Sequence, residues 1–250
     1  MKRKSDALSA LADRVRFFEE IGAGFLFRSE EPRPEAGAAG GTIVAGSPRP
    51  AARPAESGLD LPRVDRTLDD VSAEIRACRK CSLAAGRTKA VPGEGNPKSP
   101  LMFVGEGPGH DEDVQGRPFV GRAGQLLTKI IAAMGYERSE VFIANVVKCR
   151  PPENRVPHRE EAEACAPFLI EQISILRPRV IVALGKTAVD FFVPNVKAMG
   201  AVRGVFQEWH GLPVMPTFHP SYLVRNEGNR EIKRMVWNDM QKVMAFLGGK

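Results

Sequence analysis

Long apolar runs are missing from this 250-residue chain. None approaches the ~20 residues that carry a helix across a bilayer, so a membrane-spanning protein is not expected. The basic start Met1-Lys2-Arg3-Lys4 is not followed by an apolar stretch, because Asp6, Asp13 and Glu19 interrupt what comes next. A secretory signal is therefore not expected, and the cytoplasm is the expected location. Cysteine is scarce, with four residues at Cys78, Cys81, Cys149 and Cys165. A disulfide framework is not expected in a cytosolic chain of this length. A Cys-x-x-Cys pair with two remote cysteines suits a metal or cluster site instead, with zinc and iron–sulfur equally open. Internal repeats are absent. So are two nucleotide signatures. Gly185-Lys186-Thr187 looks like the tail of a phosphate loop, but Val180 stands where its first glycine belongs. Gly105-x-Gly107-x-Gly109 lacks the Rossmann spacing.

What is present is the composition of an ordinary globular protein, 26% charged and 43% hydrophobic. A net charge of +6 permits a polyanionic partner without requiring one. Three regions are expected. Residues 1–30 form an extension whose Leu8, Leu11, Val15, Phe18 and Ile21 fall at helical spacing. Residues 31–63 are rich in Pro, Ala, Gly and Arg, too poor in large apolar groups to offset their conformational entropy, and read as a flexible linker. Residues 64–250 form the compact domain. Within it the apolar runs at 101–104, 141–144, 180–184 and 212–217 predict strands. Helical patterns follow at 121–134, 158–176, 186–192 and 229–246. Strands alternating with helices argue for a parallel sheet covered on both faces.

Each expected strand ends in something chemically useful. The first runs into Glu106 and a loop holding Glu112, Asp113 and Phe119; the second ends at Asn145, the third at Gly185, the fourth near His219. In a parallel sheet those ends share one edge, where α/β folds bind ligands. A primary amide offers a donor and an acceptor to an imide edge. A phenyl ring stacks on a planar heterocycle. An imidazole donates to an oxygen that becomes anionic, and a carboxylate orients water. Singly, each has a bland alternative: an Asn after a strand serves as a turn residue, and a His before Pro as a helix cap.

Together these residues resemble family 4 uracil-DNA glycosylases. Gly105-Glu106-Gly107-Pro108-Gly109 with Gly116-Arg117-Pro118-Phe119-Val120-Gly121-Arg122 resembles their first motif. Asn145 with Lys148-Cys149-Arg150-Pro151-Pro152 and Asn154-Arg155 resembles the second, and His219-Pro220-Ser221-Tyr222 the third. The resemblance covers about residues 65–245. It implies a three-layer α/β/α sandwich around a four-stranded parallel sheet, and a [4Fe–4S] cluster held by Cys78, Cys81, Cys149 and Cys165. The implied reaction is hydrolysis of the N-glycosidic bond of deoxyuridine, leaving an abasic site in base excision repair. Single-stranded DNA and G·U duplexes are the expected substrates, because a flipped base costs least there; a monomer is expected.

The resemblance assigns roles. Phe119 stacks on uracil, Asn145 reads its imide edge, and Gly107 supplies backbone contacts. His219 stabilises the departing uracil anion. Glu106 and Glu112 face the sugar cation or position water, with Asp113 as a third acid. Arg122, Lys148, Arg150, Ser221 and Arg225 are the candidate phosphate contacts, and Leu223 or Tyr222 a wedge in the base stack. One relative of the family becomes covalently trapped on the abasic product through a histidine after the second motif. His158 stands nearby here, but the basic insertion of that subgroup is missing.

Overall fold

The computed structural model describes residues 59–248. The expected helix at 5–21, the extension at 1–30 and most of the 31–63 linker lie outside the described residues. Leu59 packs against the domain and Leu61 is buried in its core, both ahead of Val64.

The elements run α1 (Leu68–Ala77), α2 (Leu83–Gly86), β1 (Glu94–Gly95), β2 (Leu101–Gly105), α3 (His110–Gln115) and α4 (Arg122–Ala133). They continue with β3 (Phe142–Asn145), α5 (Arg159–Leu176), β4 (Val180–Leu184), α6 (Lys186–Phe192) and α7 (Met199–Val202). The chain closes with β5 (Gln207–Trp209), β6 (Leu212–Thr217), α8 (Pro220–Arg225) and α9 (Arg230–Leu247). Thr67 caps α1 reciprocally with Asp70, each satisfying the other's backbone N–H.

The sheet has six strands in the order β1-β3-β2-β4-β6-β5. Its four inner strands are the expected parallel set. The additions are β1 and β5, short antiparallel edge strands of two and three residues. So short a strand carries no periodic pattern to read.

Why three layers form is visible along the inner strands. Leu101, Phe103, Ile143, Val180, Val182 and Met215 feed one core. Their alternates Met102, Val104, Phe142, Ala144, Ile181 and Val214 feed the other. Successive strand side chains point to opposite faces, so strands apolar at every position need cover on both sides. One core includes Leu127 and Ile131 of α4 with Trp237 and Met240 of α9. The other includes Val71 and Ile75 of α1, Leu169 and Ile173 of α5, and Val189 of α6.

The register sets up the site. Gly105 pairs with Asn145 across β2 and β3, and Leu184 with Thr217 across β4 and β6. The carboxyl ends of four strands are thereby level. The chain passes from β2 to β3 on one side and then from β3 across to β4 on the other side of β2, and a crevice opens at that switch in direction. No helix among the described residues is long and apolar enough to cross a membrane.

Candidate active site

A cavity of about 750 Å³ opens at this edge, a size suited to a small planar ligand. Glu106, Gly107, Phe119, Asn145, Gly185 and His219 line it together. The residues the sequence put at separate strand ends therefore share one pocket.

Asn145 ends β3 with 1% of its surface exposed, and its Oδ1 has no hydrogen-bond partner. An unsatisfied buried acceptor costs about 1–3 kcal/mol, a cost that a ligand N–H would remove. Room for this amide comes from Gly105. A Cβ there would lie 2.5 Å from both Asn145 Oδ1 and Phe119 Cζ. The glycine at the end of β2 thus lets the amide and the ring meet across the pocket floor.

Phe119 sits at φ +50, a left-handed conformation uncommon for a bulky side chain. Its surroundings hold it there. Glu112 Oε1 accepts from Val120 N–H at 2.8 Å and Gly121 N–H at 2.9 Å, and Oε2 accepts from Gly109 N–H at 3.1 Å. The Arg138 guanidinium donates to the Pro118 carbonyl and to Glu94. Gly124 lies so close beneath that a Cβ there would be 1.9 Å from the Phe119 carbonyl carbon and oxygen. The ring ends 5.6 Å, centroid to centroid, from that of His219.

His219 caps α8. Its Nδ1 accepts from Ser221 N–H at 3.1 Å and lies 2.8 Å from the Ser221 hydroxyl. Burial, then the charge of Arg225, lowers its pKa to about 4. The ring is therefore neutral near pH 7. With Nδ1 occupied as an acceptor, this network assigns the single ring proton to Nε2.

The acids divide. Glu106 takes a short hydrogen bond from the Thr187 hydroxyl and lines the pocket. Glu112 spends one oxygen on the backbone N–H groups of Val120 and Gly121 in the Phe119 loop and the other on that of Gly109. Asp113 is buried and turned the other way, accepting from Thr88 N–H at 2.9 Å. The part of Thr187 was missed from sequence. Its only signal was its place directly after a strand end, in a triplet set aside as a broken phosphate loop. Arg155, which belongs to the second motif, lines the pocket with Val156 beside it, and so does Met199, which carried no signal.

The basic candidates separate as well. Arg122 opens α4 and is exposed. Arg150 donates to Asn154 Oδ1 at 2.8 Å and lies 3.2 Å from His110 Nδ1. Arg225 is exposed at the pocket and donates to Ser221 Oγ at 3.3 Å, while Ser221 is turned to His219. Lys148 is a correction. It is 1% exposed, and its Nζ donates to Asn145 O at 2.8 Å and Gln172 Oε1 at 2.7 Å, so it cannot reach a phosphate. Leu223 is a second correction: it is 3% exposed within the core and cannot serve as a wedge. Tyr222, 37% exposed and lining the pocket, remains available.

Behind the sheet edge the four cysteines line one narrow cavity with Ile75, Phe168, Lys80, Arg87 and Lys148. Among the described residues no group of three or more His, Cys, Asp or Glu is arranged to hold a single metal ion. A cubane cluster presents iron at separate corners and needs its thiolates further apart than one tetrahedral ion does. The donor set fits such a group. All four possible ligands are sulfur, and hydrogen bonds point at them from Arg87 Nη1 to Cys149 at 3.0 Å and from Lys148 N–H to Cys165 at 3.3 Å. Burial raises the pKa of Cys149 and pushes that of Cys165 up to about 11, so unligated they are thiols.

The profile of the Uracil DNA glycosylase superfamily matches residues 92–241. A type-4 uracil-DNA glycosylase of Thermotoga maritima is 50% identical over 185 residues, covering 73% of this chain and 96% of that protein. One from Saccharolobus solfataricus is 42% identical over 192 residues, with 73% and 88% covered. A type-5 uracil-DNA glycosylase of Pyrobaculum aerophilum is 31% identical over 167 residues, with 59% and 72% covered.

Proposed function

Since the chain belongs to the uracil-DNA glycosylase superfamily, and within it to the type-4 enzymes, we propose that it removes uracil from DNA in repair. It hydrolyses the N-glycosidic bond and leaves an abasic site. The observation that carries this reading is the buried, unpartnered Oδ1 of Asn145, set beside the ring of Phe119 in one pocket. Uracil fits both. Its N3–H donates to Oδ1 and its O4 accepts from the amide N–H, while its face stacks on the ring. Cytosine presents the opposite pattern at these two atoms and would leave a buried acceptor unpaired.

A base inside a duplex cannot reach this pocket and must be flipped out, which costs least in single strands and at G·U pairs. Tyr222, exposed at the pocket, fills the gap in the base stack, and Arg122, Arg150 and Arg225 contact the backbone phosphates. As the bond to the sugar lengthens, negative charge builds on uracil. The neutral His219, its Nδ1 held as an acceptor by Ser221 N–H, donates Nε2–H to the uracil oxygen that becomes anionic. Glu106, oriented by Thr187, faces the positive sugar and holds the attacking water. Glu112 is assigned to holding the loop rather than to the sugar, because its oxygens are committed to backbone. Gly107 lines the pocket with backbone alone.

Cys78, Cys81, Cys149 and Cys165 would hold a [4Fe–4S] cluster, which supplies a structural tie between the 78–81 segment and the 149–165 region. On this reading the protein acts on DNA in the cytoplasm, as a monomer. The covalently trapped alternative draws no support: His158 stands at the start of α5, where its backbone N–H donates to Glu161, and is not among the residues lining the pocket.

The test incubates the pure protein with single-stranded and G·U duplex oligonucleotides, followed by alkali. Strand breaks at uracil are expected in both; none in either would overturn the reading. A covalent band on a denaturing gel would favour the trapped relative. Iron and acid-labile sulfide near four of each per chain are expected on the cluster assignment, and stoichiometric zinc would contradict it.

A further inference from the structure

Lys148 is the largest polar side chain in the core, and the reaction as described has no use for it. Its environment is unusual. The ammonium donates to the backbone carbonyl of Asn145 at 2.8 Å and to Gln172 Oε1 at 2.7 Å, both neutral acceptors. Gln172 is itself fully buried and donates to Pro92 O at 2.8 Å. The Lys148 backbone N–H points at Cys165 Sγ at 3.3 Å, and its carbonyl accepts from Val91 N–H at 2.8 Å. The side chain also lines the four-cysteine cavity. One residue thus touches the pocket's amide-bearing strand end, α5 and the cysteine cavity.

A buried ammonium without an anionic partner is costly, and two neutral acceptors offset only part of that cost. No described carboxylate pairs with it, and its own backbone N–H lies on Cys165 Sγ at the wall of the cysteine cavity. A thiolate-ligated iron–sulfur cluster carries net negative charge and would supply the missing counter-charge. A cation on the cavity wall favours retention of the cluster, and the same side chain holds the carbonyl of Asn145.

We propose that Lys148 is a positioning residue that couples the cysteine-held cluster to uracil recognition by fixing the backbone of Asn145. This rests on the reading that the cavity holds a cluster and that Asn145 reads uracil. The iron content and activity of the unaltered protein test that reading separately. In particular, a protein with its full iron and full activity can still fail the test below.

The test compares the holoprotein with Lys148→Met and Gln172→Glu. Two quantities are read beside the melting temperature: inhibition by free uracil, and loss of cluster absorbance in excess chelator. In Lys148→Met, inhibition by uracil weakens about tenfold and iron loss accelerates about tenfold, the scale of losing an outer partner of a metal site. A merely space-filling lysine would lower the melting temperature and leave both unchanged. Gln172→Glu keeps the acceptor for Nζ but offers the ammonium a rival negative charge. Iron loss then accelerates while inhibition by uracil stays near the original. Wild-type iron retention in Lys148→Met, or wild-type inhibition by uracil in it, overturns the proposal. If Lys148→Met does not fold, Gln172→Glu decides alone: unchanged iron loss overturns the coupling.

Discussion

Replacing Glu112 separates two roles that a carboxylate in this loop could have. Its oxygens accept three backbone hydrogen bonds, from Val120, Gly121 and Gly109. Hydrogen bonds to a charged acceptor contribute about 1.5 kcal/mol each at the lower end. Three would give about 4.5 kcal/mol were the groups sealed from water, but this loop is half-buried and freed N–H groups can turn to solvent. About 2–3 kcal/mol is the reasonable loss for Glu112→Ala, and it falls on a loop that already holds Phe119 in a left-handed conformation costing about 1–2 kcal/mol. The ring then leaves the pocket wall. At 1.36 kcal/mol per decade, the expected fall in kcat/KM is roughly 30- to 150-fold, with inhibition by free uracil weakened in step. Glu112→Gln keeps an oxygen for Val120 and Gly121 and loses only the Gly109 bond, so about a tenfold loss is expected from that one bond. Single-turnover rates on a uracil-containing single strand, with uracil inhibition measured alongside, make the comparison. If Glu112→Gln loses as much rate as Glu106→Gln while uracil inhibition stays intact, the Glu112 charge acts on the sugar and the positioning argument is wrong.

Three further outcomes follow from the same geometry. Gly105→Ala puts a methyl 2.5 Å from Asn145 Oδ1 and Phe119 Cζ; activity should fall at least about tenfold while the fold persists, and full activity in a glycosylase assay would remove Gly105 from the argument. Asn145→Asp replaces the N–H donor to uracil O4 with a second acceptor in a buried site, so inhibition by free uracil should weaken about 100-fold; a near-normal inhibition constant would show that the amide does not read the base. His219 has its folded pKa lowered to about 4 from 6.5. The unfolded chain therefore binds the extra proton first: the stability from the neutral ring is complete above pH 6.5 and is lost as pH falls through 6.5 toward 4. A pH–rate profile should show no histidine limb near 6.5, and such a limb that disappears in His219→Asn would refute the neutral-donor assignment.

The inner sheet was legible because strands buried on both faces are apolar at every position, as in Val180–Leu184. The helices at 186–192 and near 159–176 were legible from their spacing. The edge strands β1 and β5 were not, since two or three residues held by backbone pairing to a neighbour leave no pattern in side chains. In the site, Asn145, Phe119, Glu106 and His219 were legible as chemistry at strand ends. Thr187 was not, because its partner is distant in the chain and its hydroxyl is otherwise unremarkable.

The sequence by itself determined which reactive groups exist and, through four apolar runs, that they gather at one sheet edge. Only the tertiary structure decided which way each group faces. Lys148 reads as one more cation beside a DNA-contacting motif, yet it turns inward, because the chain after β3 bends there and α5 supplies Gln172 beside it. Glu112 reads as a second catalytic acid, yet it gathers the N–H groups of Gly109, Val120 and Gly121, whose positions depend on the path of the loop. Local spacing sets periodicity and therefore elements. The direction of a single side chain outside them is set by partners far along the chain, which spacing does not encode.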